Sequence, residues 1–179
     1  MEYLIQNYPV FCEVMGESPL PTSDIGLDCP IYRLWWLPAH YRPLSVHMYV
    51  MPNGSGQIRA KVGAFGRGGT MPAKIMQAWE IQLSSANIQA FFSLLHACDF
   101  WQQPTQETGV GLDGSHWILE GYHNGQYHVV DRWQPQAGPF REACVLLMKL
   151  VGLELHGGKP GQRGTWFALK DSRMVKKLI

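Results

Sequence analysis

The chain has 179 residues, is 46% apolar and 16% charged, and carries a net charge of +1. A chain of that length and composition is not mainly disordered, and it can bury a core without disulfides or a structural metal. No apolar run approaches the roughly 20 residues needed to cross a bilayer, so no membrane contact is expected.

The start, Met1-Glu2-Tyr3-Leu4, has an acid where a signal peptide would carry lysine or arginine. The expected setting is cytoplasmic, or periplasmic if a leader precedes the chain. Charge is unevenly spread. Residues 1–32 hold Glu2, Glu13, Glu17, Asp24 and Asp28 with no lysine or arginine, whereas 155–179 hold six basic residues against Asp171 alone. Two solvated surfaces are the plain reading, and mutual docking of the termini or a basic contact for an acidic partner are the sharper ones.

Pro19, Pro21, Pro30, Gly16 and Gly26 forbid a long helix over 16–30, so residues 1–30 are expected to be an extended, irregular lead-in. From Ile31 to Leu83 the chain is rich in β-branched and aromatic residues. Candidate strands are Tyr32 to Leu37, Ser45 to Met51, Gln57 to Phe65 and Ile75 to Leu83, with Pro52-Asn53-Gly54-Ser55-Gly56 as a hairpin turn. This half reads as an antiparallel meander.

The period changes at Ser84 or Ser85, either of which can cap a helix. Ile88, Phe91, Phe92, Leu95 and Cys98 then recur at helical spacing, and the break at Gln102-Gln103-Pro104 follows a helix over 85–99. Downstream, Asn124-Gly125 supplies the two positive-φ residues of a type I′ turn. That turn sets 122 opposite 127, 120 opposite 129, 118 opposite 131 and 117 opposite 132. Gly138-Pro139 opens a second helix over 139–151 with the stripe Phe140, Ala143, Cys144, Leu147, Leu150 and Val151, which Gly152 stops. The tail has a possible edge strand, Thr165 to Leu169.

The expected architecture is a single α+β domain over 1–179. It has a mainly antiparallel sheet of about five to seven strands, two helices packed on one face, and a basic C-terminal segment over 155–179. Cys98 and Cys144 fall on helical stripes and read as small buried hydrophobes; Cys12 and Cys29 lie in irregular sequence and are the pair able to bridge in an exported protein.

Alternation places His116, Ile118, Glu120 and Tyr122 on one hairpin face with Tyr127, Val129, Asp131 and Trp133. Glu120 and Asp131 are diagonal neighbours there. With His116 they are the candidate catalytic set, since two carboxylates and an imidazole can divide acid and base roles or hold a divalent ion. The same face also reads as an aromatic binding surface made by Tyr122, Tyr127, Trp133, Glu120 and Asp131. The other face carries Trp117 opposite Arg132, a geometry that allows a cation–π contact if exposed, with core packing beside a snorkelling arginine as the favoured purpose.

Gly63 to Thr70 resembles a phosphate loop in glycine content but lacks the Gly-Lys-Ser/Thr ending, so Arg67 is read as a modest contact for an anion or partner. There is no Gly-x-Ser-x-Gly, Cys-x-x-Cys or His-Glu-x-x-His, and no cofactor or metal is expected.

Gly111-Leu112-Asp113-Gly114-Ser115-His116-Trp117-Ile118-Leu119-Glu120-Gly121, followed by Gly125 to Trp133 and Pro135, resembles a motif of an uncharacterised bacterial protein family, a domain of unknown function. The resemblance spans roughly residues 30–153. It implies a bacterial origin and brings no catalytic residues. Small bacterial α+β proteins with exposed aromatics and no active site often serve as immunity or inhibitor proteins, an argument from analogy.

The leading functional expectation is a protein-binding module of that kind, with a protein partner or a second copy of the chain on the aromatic face. The alternatives are an enzyme using His116, Glu120 and Asp131, and a nucleic-acid binder acting through the basic tail. A pI near 7.7 argues against nucleic acid.

Overall fold

Ile31 to Pro38 alternates large side chains to both sides, and both sides are covered: this strand, β1, is buried along nearly its whole length. The computed structural model describes residues 2–20, 29–38, 42–65, 72–107, 114–156 and 166–169. β2 (Leu44–Val50), β3 (Gly56–Phe65) and β4 (Pro72–Leu83) follow β1 as a meander, and β5 (Ser115–His123) and β6 (Gln126–Trp133) form the expected hairpin. The six-stranded sheet has the order β4-β3-β2-β1-β5-β6, antiparallel throughout. The chain is an α+β fold.

Local signals acted as read. Asn124 and Gly125 have φ of 50° and 74°, and the hairpin pairs Tyr122 with Tyr127, Glu120 with Val129, Ile118 with Asp131 and Trp117 with Arg132. Between β2 and β3, Asn53 accepts hydrogen bonds from the Ser55 amide and hydroxyl, and Gly54 takes φ of 79°.

α2 (Ser85–Ala97) and α3 (Pro139–Leu150) pack on one face of the sheet. Ser84 caps α2 in a reciprocal box with Asn87, and Pro139 opens α3 at its first turn. Ile88, Phe91 and Leu95 of α2 and Phe140, Ala143, Cys144, Leu147 and Met148 of α3 are buried, while Leu150 is only half-buried against the same core. Tyr32 is the hub, with Phe91 at 5.2 Å and Phe92 at 5.8 Å, both edge-on. Gly121 sits opposite Tyr32, where a Cβ would come within 2.9 Å of both the Tyr32 and Phe100 rings. The glycine makes room for the aromatic cluster.

Three expectations change. Residues 1–30 are not an extended lead-in throughout, because Glu2–Met15 forms a helix, α1, on the sheet's second face. Tyr8, Phe11, Cys12 and Met15 lie at i, i+3, i+4 and i+7, and they pack against Trp35, Leu37, Ile118 and Val129. Pro9 is inside this helix but on its exposed side, so the lost backbone donor is the main local cost and no ring enters the core.

Trp166–Leu169 pairs antiparallel with β7 (Leu153–His156) as a separate ribbon, β8, and is not an edge of the main sheet. Cys12 lies on the buried stripe of α1 and not in irregular sequence, and both it and Cys29 are free thiols. Among the described residues no helix is long and apolar enough to cross a membrane.

Leu147 has no exposed surface and lies at the contact of α3 with the sheet. Leu147→Ala should cost about 2–5 kcal/mol in urea unfolding. A loss well under 1 kcal/mol would mean that this site collapses around the cavity.

Candidate functional site

The second face of the sheet is charged where a core would normally be apolar. A transverse row runs Glu120, Arg33, His47, Arg59, Glu80 across β5, β1, β2, β3 and β4. Arg59 and Glu80 are partly exposed and pair at 2.9 Å near the edge. Arg33 and Glu120 are fully buried at the centre.

Burying both ions is tolerable only if their hydrogen-bonding capacity is filled. Glu120 accepts from Arg33 Nε at 2.6 Å, Arg33 Nη2 at 3.1 Å, Trp35 Nε1 at 2.7 Å and Tyr127 OH at 2.8 Å, and also from the Tyr8 hydroxyl. Arg33 Nη1 donates to the Ser18 carbonyl at 2.8 Å, and Nη2 also donates to the Tyr8 hydroxyl. The guanidinium lies 5.0 Å from the Trp35 ring centre. Burial opposes the Arg33 charge, but Glu120 more than compensates and raises its pKa. Burial and then the Glu120 charge push the Tyr8 and Tyr127 hydroxyls up, so both are fixed as neutral donors.

A second cluster holds the end of α1. Lys61 Nζ donates to the carbonyls of Met15 and Gly16 at 2.8 and 2.7 Å, and so satisfies acceptors that the helix terminus leaves open. The same ammonium meets Glu17 at 2.8 Å, and His47 Nδ1 lies 3.2 Å from the other Glu17 oxygen. Tyr49 stacks on His47 with ring centres 4.3 Å apart. Burial alone would raise the Glu17 carboxyl; the His47 and Lys61 contacts outweigh it and hold it at about 2. Burial pushes the His47 imidazole down, so at neutral pH it is an uncharged partner and the positive charge facing Glu17 belongs to Lys61.

Between α1, β5–β6 and residues 105–106 lies a cleft of about 210 Å3. Ile118 and Val129 form its apolar floor, Tyr8 and Tyr127 its walls, and Thr105, Gln106 and Asp131 its rim. Arg132 builds that rim from behind. It donates to Gln103 Oε1 at 2.7 Å, to the Pro104 carbonyl at 3.0 Å and to the Thr105 carbonyl at 3.4 Å, while its Nε meets Glu107 at 3.1 Å. The Asp131 amide also donates to the Thr105 carbonyl at 2.7 Å.

Of the candidate catalytic residues, His116 and Asp131 are brought together, Nδ1 to Oδ1 at 3.0 Å. Glu120 is not with them, because its carboxylate is turned to Arg33. Of the binding candidates, Tyr127 is 40% exposed at the cleft, Tyr122 is half-buried beside it, and Trp133 packs edge-on against His116 at 4.7 Å. Arg67 lies outside the described residues, as does most of the basic tail. Among the described residues no group of three or more histidine, cysteine, aspartate or glutamate side chains is placed to hold a metal ion.

Two expectations are corrected, one on each face. The second face is not left open to solvent at its centre, because α1 covers it. Arg132 does sit across from Trp117, yet its guanidinium lies over Phe140 at 5.7 Å, and the cation over Trp117 is Arg141, also at 5.7 Å.

Tyr8, Arg33 and Trp35 were not singled out from the sequence. Their signals were present: the 8, 11, 12, 15 spacing, and one arginine in the otherwise apolar run Ile31 to Leu37, where an unpaired charge would be prohibitive. No family model matches the chain, and no curated protein matches it.

Arg33→Met should cost about 3–5 kcal/mol in urea unfolding, because it strands the Glu120 carboxylate. Arg33→Met with Glu120→Gln should cost less than the sum of the two single changes. Additive costs would mean that the pair is not energetically coupled.

Acidification should loosen the α1 clamp. Glu17 is depressed from 4.5 to about 2, so its contribution is complete above the unfolded value and is lost as pH falls from about 4.5 to 2. His47, also depressed, adds loss in the same direction, beginning as pH drops below about 6.5. Between pH 5 and 2 the parent should lose on the order of 2–3 kcal/mol more than Glu17→Gln, read from urea midpoints. Parallel pH curves for the two proteins would remove Glu17 as the acid-sensitive element.

Proposed function

We propose that this chain is a protein-binding module, and that a partner docks at the cleft and on Tyr127 beside it. The observation that carries this reading is the form of the cleft. At about 210 Å3 it is below the roughly 300–1,000 Å3 usual for small-molecule and cofactor sites, and suits a single side chain. Its wall residue Tyr127 combines exposure with a hydroxyl pinned to buried Glu120. A large aromatic held in one place loses little entropy on binding, which is how interface anchors work.

Half-buried Tyr122 and Trp133 extend the same surface on either side. The resemblance to an uncharacterised bacterial family, taken with this anchor, favours an immunity or inhibitor role among the binding functions. The enzymatic alternative gains the His116–Asp131 hydrogen bond but loses Glu120, whose oxygens are filled by donors from four side chains.

Replacing Tyr127 by a photo-reactive phenylalanine in the native host should give cross-linked adducts of defined mass. The same group at Ser93, exposed on α2 across the sheet, should not. An adduct of twice the chain's mass would identify a second copy as the partner. Tyr127→Ala, folded by circular dichroism, should weaken binding of the captured partner by about tenfold or more. Equal adducts from both positions would place the functional surface elsewhere.

A further inference from the structure

The cleft carries a single charged side chain, and it is a carboxylate. Resting on the binding reading above, we propose that its occupant is an arginine side chain of the partner, with the guanidinium on Asp131 and the methylenes on Ile118 and Val129. Among the lining side chains there is one carboxylate, Asp131, and no lysine or arginine. The neighbouring carboxylate, Glu120, is neutralised by Arg33 and has no free place for a ligand.

The phenols of Tyr8 and Tyr127 commit their protons to Glu120, so toward the cleft the Tyr127 oxygen can only accept. Asp131 is itself incompletely satisfied: His116 Nδ1 holds Oδ1 at 3.0 Å, while the Gln106 amide reaches Oδ2 only at 3.5 Å. A carboxylate oxygen with one long contact, walled by aromatic rings and floored by aliphatic carbon, calls for a donor-rich cation on an apolar stem.

Arginine fits better than lysine. Its planar head carries five donors, is more weakly hydrated than an ammonium and stacks on aromatic rings. An anionic group would meet Asp131, and a neutral apolar one would leave Asp131 dehydrated and underpaired.

The test uses the full chain with methyl-labelled isoleucine and valine, titrated with N-propylguanidinium chloride, the arginine side chain itself, and with N-propylurea, its neutral counterpart, at constant ionic strength. Propylguanidinium should shift the Ile118 and Val129 methyls saturably, with a dissociation constant on the order of millimolar for so small a ligand. Propylurea should bind about tenfold more weakly. Asp131→Asn, which keeps the shape of the side chain, should reduce propylguanidinium to the propylurea level. If that variant does not fold, Thr105→Trp, which plugs the exposed rim, should abolish the shifts from propylguanidinium while circular dichroism is unchanged.

Equal binding of the two probes, an unaffected Asp131→Asn variant, or absence of saturable shifts overturns the arginine assignment. Those results leave the docking surface intact if position 127 still cross-links. Loss of cross-linking with probe binding preserved overturns instead the reading on which the assignment rests.

Discussion

Glu120 and Arg33 face each other in register on adjacent central strands, both without solvent exposure, and much of the second face is arranged to make that pair bearable. Removing two ions from water costs several kcal/mol each, which one contact between them does not offset. The remainder comes from Trp35, Tyr127, Tyr8 and the Ser18 carbonyl, and the last two belong to α1 and the turn after it. The docking of the N-terminal helix and the shielding of the pair are therefore one event. Tyr127 owes its fixed orientation to the same carboxylate, so the cleft wall is tied to the pair as well.

The two faces of the sheet hold their helices by different physics. Toward α2 and α3 the contact is mainly apolar and aromatic, with Tyr32, Trp36, Trp117 and Phe91 wholly buried and a polar stitch from Trp79 Nε1 to the Val151 carbonyl. Toward α1 a small apolar cluster is framed by charged groups at both ends, Arg33–Glu120 on one side and Lys61–Glu17 on the other. Apolar contact fixes position loosely, since it has no direction. The charged frame fixes the helix's register, because a shift would leave a buried ion unpaired.

The cleft is assembled from three separate segments of the chain, namely α1, residues 105–106 and the β5–β6 hairpin. Arg132 joins two of them by drawing the 103–107 segment along the free edge of β6, where Gln106 bridges Asp131 in parallel. An open strand edge is thereby covered, and the cover also lines the cleft.

Local chemistry alone determined the hairpin register, the Ser84 cap, the proline start of α3 and the two apolar stripes, because each depends on residues within one turn or one helical repeat of each other. The alternation that put Glu120, Tyr127 and Asp131 on one face was likewise legible. The partner of Glu120 was not, since β5 pairs with β1 across 87 positions of sequence between Arg33 and Glu120, and no short-range pattern encodes that adjacency. The α1 stripe was written in Tyr8, Phe11, Cys12 and Met15, but Pro9 within it and the prolines after it carried the opposite local signal. Burial against Trp35 and Ile118 decided the conflict, because packing an amphipathic face contributes more than a single proline takes away. The cleft belongs wholly to tertiary structure, for none of the three segments that line it has a concave surface until the other two are in place.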